Sequence, residues 1–271
     1  MAGWLMNARM YAVTPEVEAA WRQLLEQVAA EARVPLTYLP YPAPQPLEVL
    51  WRRGDLGAVL MCGYPLALGL ADVVPIAAPI PDAPWAQGAA VYRTDLIVRS
   101  DAPYETLADT FGHRAGWTVS HSQSGFNAFR HELLAYRTPE RPALYREMHG
   151  ELVTARNVLD AVREGRIDVG PLDAYWHLLI ARHAPALVAG VRVLASTPLT
   201  AIPPFVASSE TPSEHVRALR AAFLGAAARP WFAALARVLL LKGFAPVSAA
   251  SYEPLLQWDR EARSAGFAQP A

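Results

Sequence analysis

The chain has 271 residues, which is enough for two lobes that each bury a core of their own. Hydrophobic residues make up 53% and charged residues 18% of it, and 24 basic residues against 25 acidic ones give a formal net charge of -1. The lack of a long basic run argues against a nucleic-acid partner, and no apolar run reaches the ~18 residues of a membrane-spanning helix. Cys62 is the single cysteine, which excludes an intramolecular disulfide.

The N-terminal residues favour a chain without an export signal. Residues 9–13 have the pattern of a first strand. The residues before them are too few for a basic start, an apolar run and a cleavage site. We therefore expect a cytoplasmic protein, or a periplasmic one from which a leader has been removed.

Strand and helix patterns alternate along the first half of the chain. Thr14 and Pro15 fit the cap and first turn of a helix, in which apolar residues then recur at helical spacing up to Val28. The continuous apolar run at residues 58–62 is typical of a strand buried on both faces of a sheet. The other predicted elements are strands at 36–39, 73–79 and 89–98 and helices at 47–53 and 107–111.

The second half continues the alternation and ends in helices. The predicted strands are 117–120, 167–172 and 191–196. The predicted helices are 124–136, 153–163, 173–184, 213–228, 231–241 and 249–260, followed by a frayed tail from residue 264. Strands alternating with helices predict an α/β fold.

A serine-rich segment, Ser120-His121-Ser122-Gln123-Ser124-Gly125, follows a predicted strand and begins a predicted helix. The free N–H groups and the dipole of a helix start favour an anion. The serine hydroxyls add donors, and Gly125 permits close approach to the backbone. The alternative is a serine N-cap with nothing bound. The segment lacks the Gly-Lys-Ser/Thr of a nucleotide-binding loop.

Two other polar residues are predicted to lie at strand ends. His149 lies in a loop before a helix, where it could donate to an anion, although a packed loop histidine is the alternative. Asp173 ends a short apolar strand, where it could accept from a ligand amine or hydroxyl, or instead cap the next helix.

Catalysis and metal binding have weaker support in the sequence. A nucleophile site built from Cys62, His149 and Asp173 is conceivable, but Cys62 ends an apolar strand, as expected of a buried, inert thiol. The seven histidines are scattered without metal-ligand spacing. We therefore assign no catalytic residue, no metal site and no cofactor.

Taken in chain order, these motifs resemble the phosphate/phosphonate-type (PhnD-like) substrate-binding proteins of ABC transporters, over residues 10–205. That family has the type 2 periplasmic binding-protein fold. The motifs are Met10-Tyr11, Cys62-Gly63-Tyr64, Tyr92-Arg93-Thr94, Ser122-Gln123-Ser124-Gly125-Phe126-Asn127-Ala128, His149, the run 165–173 and Leu194-Ala195-Ser196-Thr197-Pro198.

The resemblance implies two lobes, each a mixed, mainly parallel sheet flanked by helices. Two crossing strands would join them, and hinge motion would close them on a ligand in the cleft between. One lobe would comprise residues 1–93 and 196–271 and the other residues 94–195. The implied function is non-catalytic binding of a small anionic ligand such as phosphate or a phosphonate. An ABC permease or a regulatory protein would be the partner.

The resemblance also implies a set of ligand-binding residues. The anion would be held by Ser120, Ser122, Gln123, Ser124 and Gly125. The other implied ligand contacts are His149, Asp173, Tyr11, Tyr64 and Tyr92. Glutamine at 123 departs from the threonine that phosphonate binders more often carry. The alternatives are a cytoplasmic ligand sensor, or an enzyme of the pyrimidine-precursor type on the same fold that uses Cys62 and His149.

Overall fold

The computed structural model describes residues 3–270 of the 271-residue chain. The described strands are β1 (Trp4–Asn7), β2 (Leu36–Tyr38), β3 (Leu56–Leu60), β4 (Val73–Pro81), β5 (Val91–Tyr92), β6 (Thr94–Arg99), β7 (Arg114–Gly116), β8 (Glu147–His149), β9 (Gly170–Asp173), β10 (Val191–Ser196), β11 (Thr200–Ala201), β12 (Phe205–Ser208) and β13 (Leu241–Pro246).

The described α-helices are α1 (Pro15–Ala32), α2 (Leu47–Trp51), α3 (Gly63–Ala67), α4 (Ala128–Leu134), α5 (Ala155–Arg163), α6 (Ala174–His183), α7 (Ser213–Gly225), α8 (Phe232–Leu239) and α9 (Glu253–Ser264). A π-helical turn, Gln123–Asn127, precedes α4. Short 3₁₀ turns occur at Arg9–Tyr11, Pro84–Ala86, Leu107–Thr110, Pro185–Leu187, Ala226–Ala228 and Ala249–Tyr252.

The chain forms two compact units and passes between them at residues 92–93, 200–201 and 253–254. Unit 1 contains residues 3–92 and Ala201–Glu253, and unit 2 contains Arg93–Thr200 and residues 254–270. The C-terminal residues therefore belong to unit 2, whereas the sequence placed residues 196–271 together in the other lobe. The structure also has a third connection beyond the two that the resemblance implied.

Apolar packing explains where the C-terminus lies. Phe267 is 2% exposed and belongs to the core of unit 2, together with Phe129 and Leu133. The prediction of a frayed tail from residue 264 was wrong, because this aromatic side chain anchors the tail.

Unit 1 contains a six-stranded mixed sheet in the order β13-β4-β12-β3-β1-β2. Strand β1 pairs in parallel with β2 and β3, and the other pairs are antiparallel. All residues of β3 are buried, as its continuous apolar run predicts. Helix α1 begins as predicted, because the Thr14 hydroxyl accepts from Val17 N and Pro15 occupies the first turn.

Unit 2 contains smaller sheets. Strands β10, β6 and β9 form an antiparallel sheet in that order, while β7 pairs in parallel with β8. An isolated parallel bridge joins Ala115 of β7 to Val169. The sheets are mixed, as the resemblance implied, but the antiparallel pairs outnumber the parallel ones in both units.

The predicted strand 89–98 is observed as β5 and β6, and the predicted helix 107–111 is a 3₁₀ turn. Three further segments differ more strongly from their predictions. The first strand is Trp4–Asn7, and residues 9–11 of the predicted strand form a 3₁₀ turn. Residues 117–120 are not a strand: Trp117 N still donates to His149 O at the end of β8, but Thr118 N donates to the carbonyl oxygen of Gly125 in the π-helical turn. The predicted helix at 231–241 ends at Leu239, since Leu240 adopts a left-handed φ of 51°, and β13 follows.

No single helix within residues 3–270 is long and apolar enough to cross a membrane. The pair Ser213–Ala228 and Phe232–Leu239 meets the length and composition criteria only when taken together, and it is bent by 89°.

An ion pair fixes the start of β7, from which the serine-rich segment emerges. The Arg114 Nε and backbone N both donate to Asp168 Oδ2 at 2.9 Å. Burial alone would raise the pKa of Asp168, but the hydrogen bonds from Arg114 outweigh burial, and the pKa is lowered. A carboxyl group with a lowered folded-state pKa stabilises the fold above its unfolded pKa of about 3.9, and this contribution is lost as pH falls through the folded pKa.

We therefore predict that Asp168→Asn lowers the free energy of unfolding at pH 7 by about 1 kcal/mol, since the ion pair is only partly shielded from solvent. The difference from wild type should shrink as pH falls below about 4. Urea unfolding at several pH values measures this. The control is Asp101→Asn, whose ion pair with Arg99 is more exposed and should matter less. A difference that does not depend on pH would contradict this role of Asp168.

Candidate functional site: a serine-rich loop and helix start in unit 2

The serine-rich segment lies in unit 2 and is separated from β7 by residues 117–119. Two backbone hydrogen bonds hold its base: Trp117 N donates to His149 O at 3.0 Å, and Thr118 N donates to Gly125 O at 3.1 Å. The second bond closes residues 118–125 into a loop. The chain entering the loop and the helical turn leaving it therefore lie side by side.

Ser122 caps the helical turn that leaves the loop. Its Oγ accepts from Gly125 N at 3.0 Å, and its carbonyl oxygen accepts from Asn127 N at 3.0 Å. The latter bond spans five residues and gives the turn its π-helical form, a feature often found at functional sites. The predicted alternative, a serine N-cap, is thus observed for Ser122. This cap uses only one of the serine hydroxyls of the segment.

Gly125 is required by close packing inside the loop. A Cβ at this position would lie 2.0 Å from Thr118 Oγ1 and 3.0 Å from Ser122 Oγ. The sequence predicted that Gly125 allows close approach to the backbone, and the group that approaches is the Thr118 side chain. Glycine therefore allows the loop to close on itself.

Several donors of the loop have no partner within the described part of the chain. The Ser124 and Ser120 side chains make no hydrogen bond to residues 3–270. Thr118 is 7% exposed, and its Oγ1 also has no hydrogen-bond partner there. The first amides of a helix have no partner inside that helix. The loop thus combines neutral donors with the positive end of a helix dipole, which favours an oxyanion.

Gln123 lies in this segment, but its side chain is buried. It is 1% exposed, and its Oε1 accepts from Asn127 Nδ2 at 2.8 Å. The structure uses this amide oxygen within the protein. A ligand contact of Gln123 stays a prediction.

Strand β6 connects the loop to Asp173. Thr94 Oγ1 donates to Ser124 O at 3.1 Å, and Thr94 pairs with Asp173 across β6 and β9. Asp173 caps α6, because its Oδ1 accepts from Tyr175 N at 2.9 Å and Trp176 N at 3.0 Å. Burial and then the charge of Asp173 raise the pKa of Tyr175 well above its ordinary value. The capping alternative is observed, and a ligand contact of Asp173 stays a prediction.

His149 lies at the base of the same loop. It ends β8 opposite Gly116 of β7, and its carbonyl oxygen accepts from Trp117 N. Its Nε2 lies 2.8 Å from Glu147 Oε1, and its side chain is 32% exposed. The backbone of His149 is therefore part of the loop's support, while the ring lies beside a carboxylate of its own strand without a well-formed hydrogen bond to it.

The remaining predicted site residues belong to unit 1. Tyr11, Tyr64 and Tyr92 are each 1% exposed, and their contribution to the ligand site stays a prediction. Cys62 is 6% exposed and packs in an apolar cluster with Trp51 and Val206. This environment matches the buried, packing thiol that the sequence favoured over a nucleophile.

Thr118 and Thr94 belong to the site but were not assigned to it from the sequence. Thr94 occurs in one of the family-like motifs, and this was the available signal. The sequence around Thr118 gives no such signal, because the role of Thr118 depends on its contact with Gly125 in the folded loop. In the described part of the chain, no group of three or more His, Cys, Asp or Glu side chains is arranged to hold a metal ion.

We predict that Gly125→Ala destabilises the protein by about 1–3 kcal/mol, the usual cost of overpacking. Thr118 is β-branched and buried, so it cannot turn away easily. Adding Thr118→Ala should recover part of the loss. Thermal and urea unfolding measure both effects. Gly190→Ala is the matched control in unit 2, since no atom lies within 4 Å of its added methyl group. A Gly125→Ala variant as stable as the Gly190→Ala variant would refute the close packing.

Structures of other proteins share this fold. XAC2383 from Xanthomonas citri bound to chloride ion is 20% identical with a TM-score of 0.69, covering 97% of this chain and 98% of that one. A binding protein component of an ABC phosphonate transporter from Pseudomonas aeruginosa is 15% identical with a TM-score of 0.78, covering 98% of this chain and 88% of that one. PhnD1 from Prochlorococcus marinus in complex with methylphosphonate is 13% identical with a TM-score of 0.78, covering 96% and 98%.

These similarities confirm the mixed α/β, type 2 periplasmic binding-protein fold predicted from the sequence. No curated protein matches the sequence. A family model described as "ABC transporter, phosphonate, periplasmic substrate-binding protein" matches residues 12–252. The match covers most of the chain, including every residue that builds the serine-rich loop. The chain therefore belongs to the phosphonate ABC-transporter family of periplasmic substrate-binding proteins.

Proposed function

We propose that this family member binds a small oxyanion of the phosphate or phosphonate class, and that the loop Ser120–Gly125 of unit 2 holds the anion. Ser124, Ser122 and Gly125 form the centre of this proposed contact. Binding is non-catalytic, in keeping with the family's role in transport.

The observation that supports this proposal most strongly is the unused hydroxyl of Ser124 at a helix start. Ser124 is half-buried, its side chain bonds to no described residue, and it lies in the first turn after the Ser122 cap. Buried hydroxyl groups are normally hydrogen-bonded, so the orphan Oγ1 of nearby Thr118 also favours a polar partner supplied from outside the protein.

The chemistry of the donors favours an oxyanion over a neutral ligand. Hydroxyl and amide N–H groups at a helix start can each donate to a different oxygen of one tetrahedral anion. Methylphosphonate in the Prochlorococcus protein and chloride in the Xanthomonas protein are both anions. These ligands agree with an anion site in this chain.

The other predicted contacts belong to the same proposal. His149 and Asp173 would contact the ligand beyond its oxyanion, and Tyr11, Tyr64 and Tyr92 would supply an aromatic wall. Closure by hinge motion is part of the same proposal. An ABC permease is the partner that family membership implies. An enzymatic role for Cys62 has no support in its buried, apolar setting.

The test is calorimetry of the purified chain with inorganic phosphate, methylphosphonate, methanesulfonate and acetate. We predict that a phosphate or phosphonate binds, and that Ser124→Ala weakens its binding about tenfold or more. A hydrogen bond to a charged group contributes about 1.5–3 kcal/mol, and 1.4 kcal/mol corresponds to a factor of ten. Ser122→Ala should weaken binding as well, but it also removes the helix cap and lowers stability.

The matched control is Ser100→Ala, an exposed serine of the same unit that should leave affinity unchanged. A well-folded protein that binds none of the four anions would refute the oxyanion proposal. Wild-type affinity in the Ser124→Ala variant would place the anion elsewhere on the protein.

A further inference from the structure

A chain of buried polar side chains runs from the serine-rich loop to the C-terminal helix. Gln123 is 1% exposed, and both Asn127 and Arg130 are 0% exposed. Asn127 Nδ2 donates to Gln123 Oε1 at 2.8 Å, and Arg130 donates to Asn127 Oδ1 at 2.8 Å. Burying a polar group costs free energy unless the group is hydrogen-bonded. Because these side chains bond to one another, a change in the position of one side chain would break the hydrogen bond of the next.

Arg130 connects the chain to α9. Its guanidinium pairs with Asp259 of α9 and donates to Ala268 O at 2.9 Å. It also lies over the Phe126 ring, 4.9 Å from the ring centroid. A planar guanidinium can make these contacts at the same time because its donors have fixed, divergent directions.

Asn127 makes a second link between the turn and α9. Its Nδ2 also donates to Leu255 O at 3.0 Å, while its backbone N donates to the carbonyl oxygen of Ser122. Asn127 therefore touches both the cap residue of the loop and the first turns of α9. Asn127 thus links Ser122 to α9, with its backbone N on Ser122 and its side chain on Leu255.

Asp259 has a second arginine that does not take part in this chain. Arg263 Nε lies 2.9 and 2.8 Å from the two Asp259 oxygens, and the Arg263 side chain is 61% exposed. If Arg130 is replaced, Asp259 is therefore still paired with Arg263. The two arginines allow the effect of the buried connection to be separated from the effect of charge pairing on α9.

We propose that Gln123, Asn127, Arg130 and Asp259 form a positioning relay that holds the loop Ser120–Gly125 in its binding geometry by anchoring it to α9. In this relay Gln123 acts on the ligand indirectly, as a positioning residue. Affinity for an oxyanion then depends on Arg130. That dependence rests on the proposed function, whereas the anchoring of the loop does not.

The anchoring is tested on the full chain without ligand, by hydrogen exchange in peptides covering residues 118–127. Gln123→Met keeps the length of the side chain and removes the acceptor of Asn127. Arg130→Lys keeps the positive charge and removes the guanidinium group, which donates to several acceptors at once. We expect exchange at Gly125 and Asn127 to become about two- to tenfold faster in each variant, since one hydrogen bond contributes about 0.5–1.5 kcal/mol.

Arg263→Met is the matched control, because it removes the exposed arginine from the same Asp259 carboxylate. It should leave exchange in residues 118–127 unchanged. If Arg130→Lys fails to fold, Gln123→Met decides the outcome. Unchanged exchange in residues 118–127 of folded Gln123→Met overturns the relay, whether or not any ligand is known.

The consequence for binding is tested by calorimetry with methylphosphonate and inorganic phosphate. We expect affinity to fall about two- to tenfold in Gln123→Met and in Arg130→Lys, with wild-type affinity in Arg263→Met. Faster exchange with unchanged affinity overturns the positioning role. Failure of the wild type to bind either anion contradicts the proposed function alone, and the exchange experiment still decides the relay.

Discussion

The hydrogen bond from the Thr118 amide to the Gly125 carbonyl closes the loop on which the proposed site depends. Closure places the buried Thr118 side chain against a position where only glycine fits. It also fixes the start of the π-helical turn beside β7. Within the partly buried loop, Ser122 Oγ and the Gly125 carbonyl have internal partners, whereas the Ser120 and Ser124 hydroxyls have none in the described part of the chain. Those hydroxyls are the donors that we assign to the ligand.

The rest of unit 2 supports this closure from several sides. The parallel pair β7 and β8 brings His149 to the base of the loop, and Arg114 with Asp168 fixes the start of β7. Thr94 of β6 holds the Ser124 carbonyl, and Asn127 links the turn to α9. The donors are thus carried on a preorganised scaffold, so that little conformational entropy would be lost on binding the proposed anion.

Local sequence signals were sufficient for the family, the fold class and the position of the loop. The apolar spacing at Phe126, Phe129 and Leu133 predicted the helix that follows the loop, and all three are buried. Strand direction and the packing of the C-terminus were missed, because both depend on long-range partners that periodicity does not report. The burial of Gln123 was missed for a related reason: the π-helical turn shifts which positions face inward, and a 3.6-residue spacing cannot show this.

The central claim is that an oxyanion binds at the helix start in unit 2. The most direct measurement is the set of backbone amide chemical shifts of the full chain during titration with methylphosphonate. The account predicts saturable changes that are largest at Ser122, Gln123, Ser124 and Gly125, and much smaller in the Ser124→Ala variant. Saturable binding that leaves these four amides unshifted would contradict it.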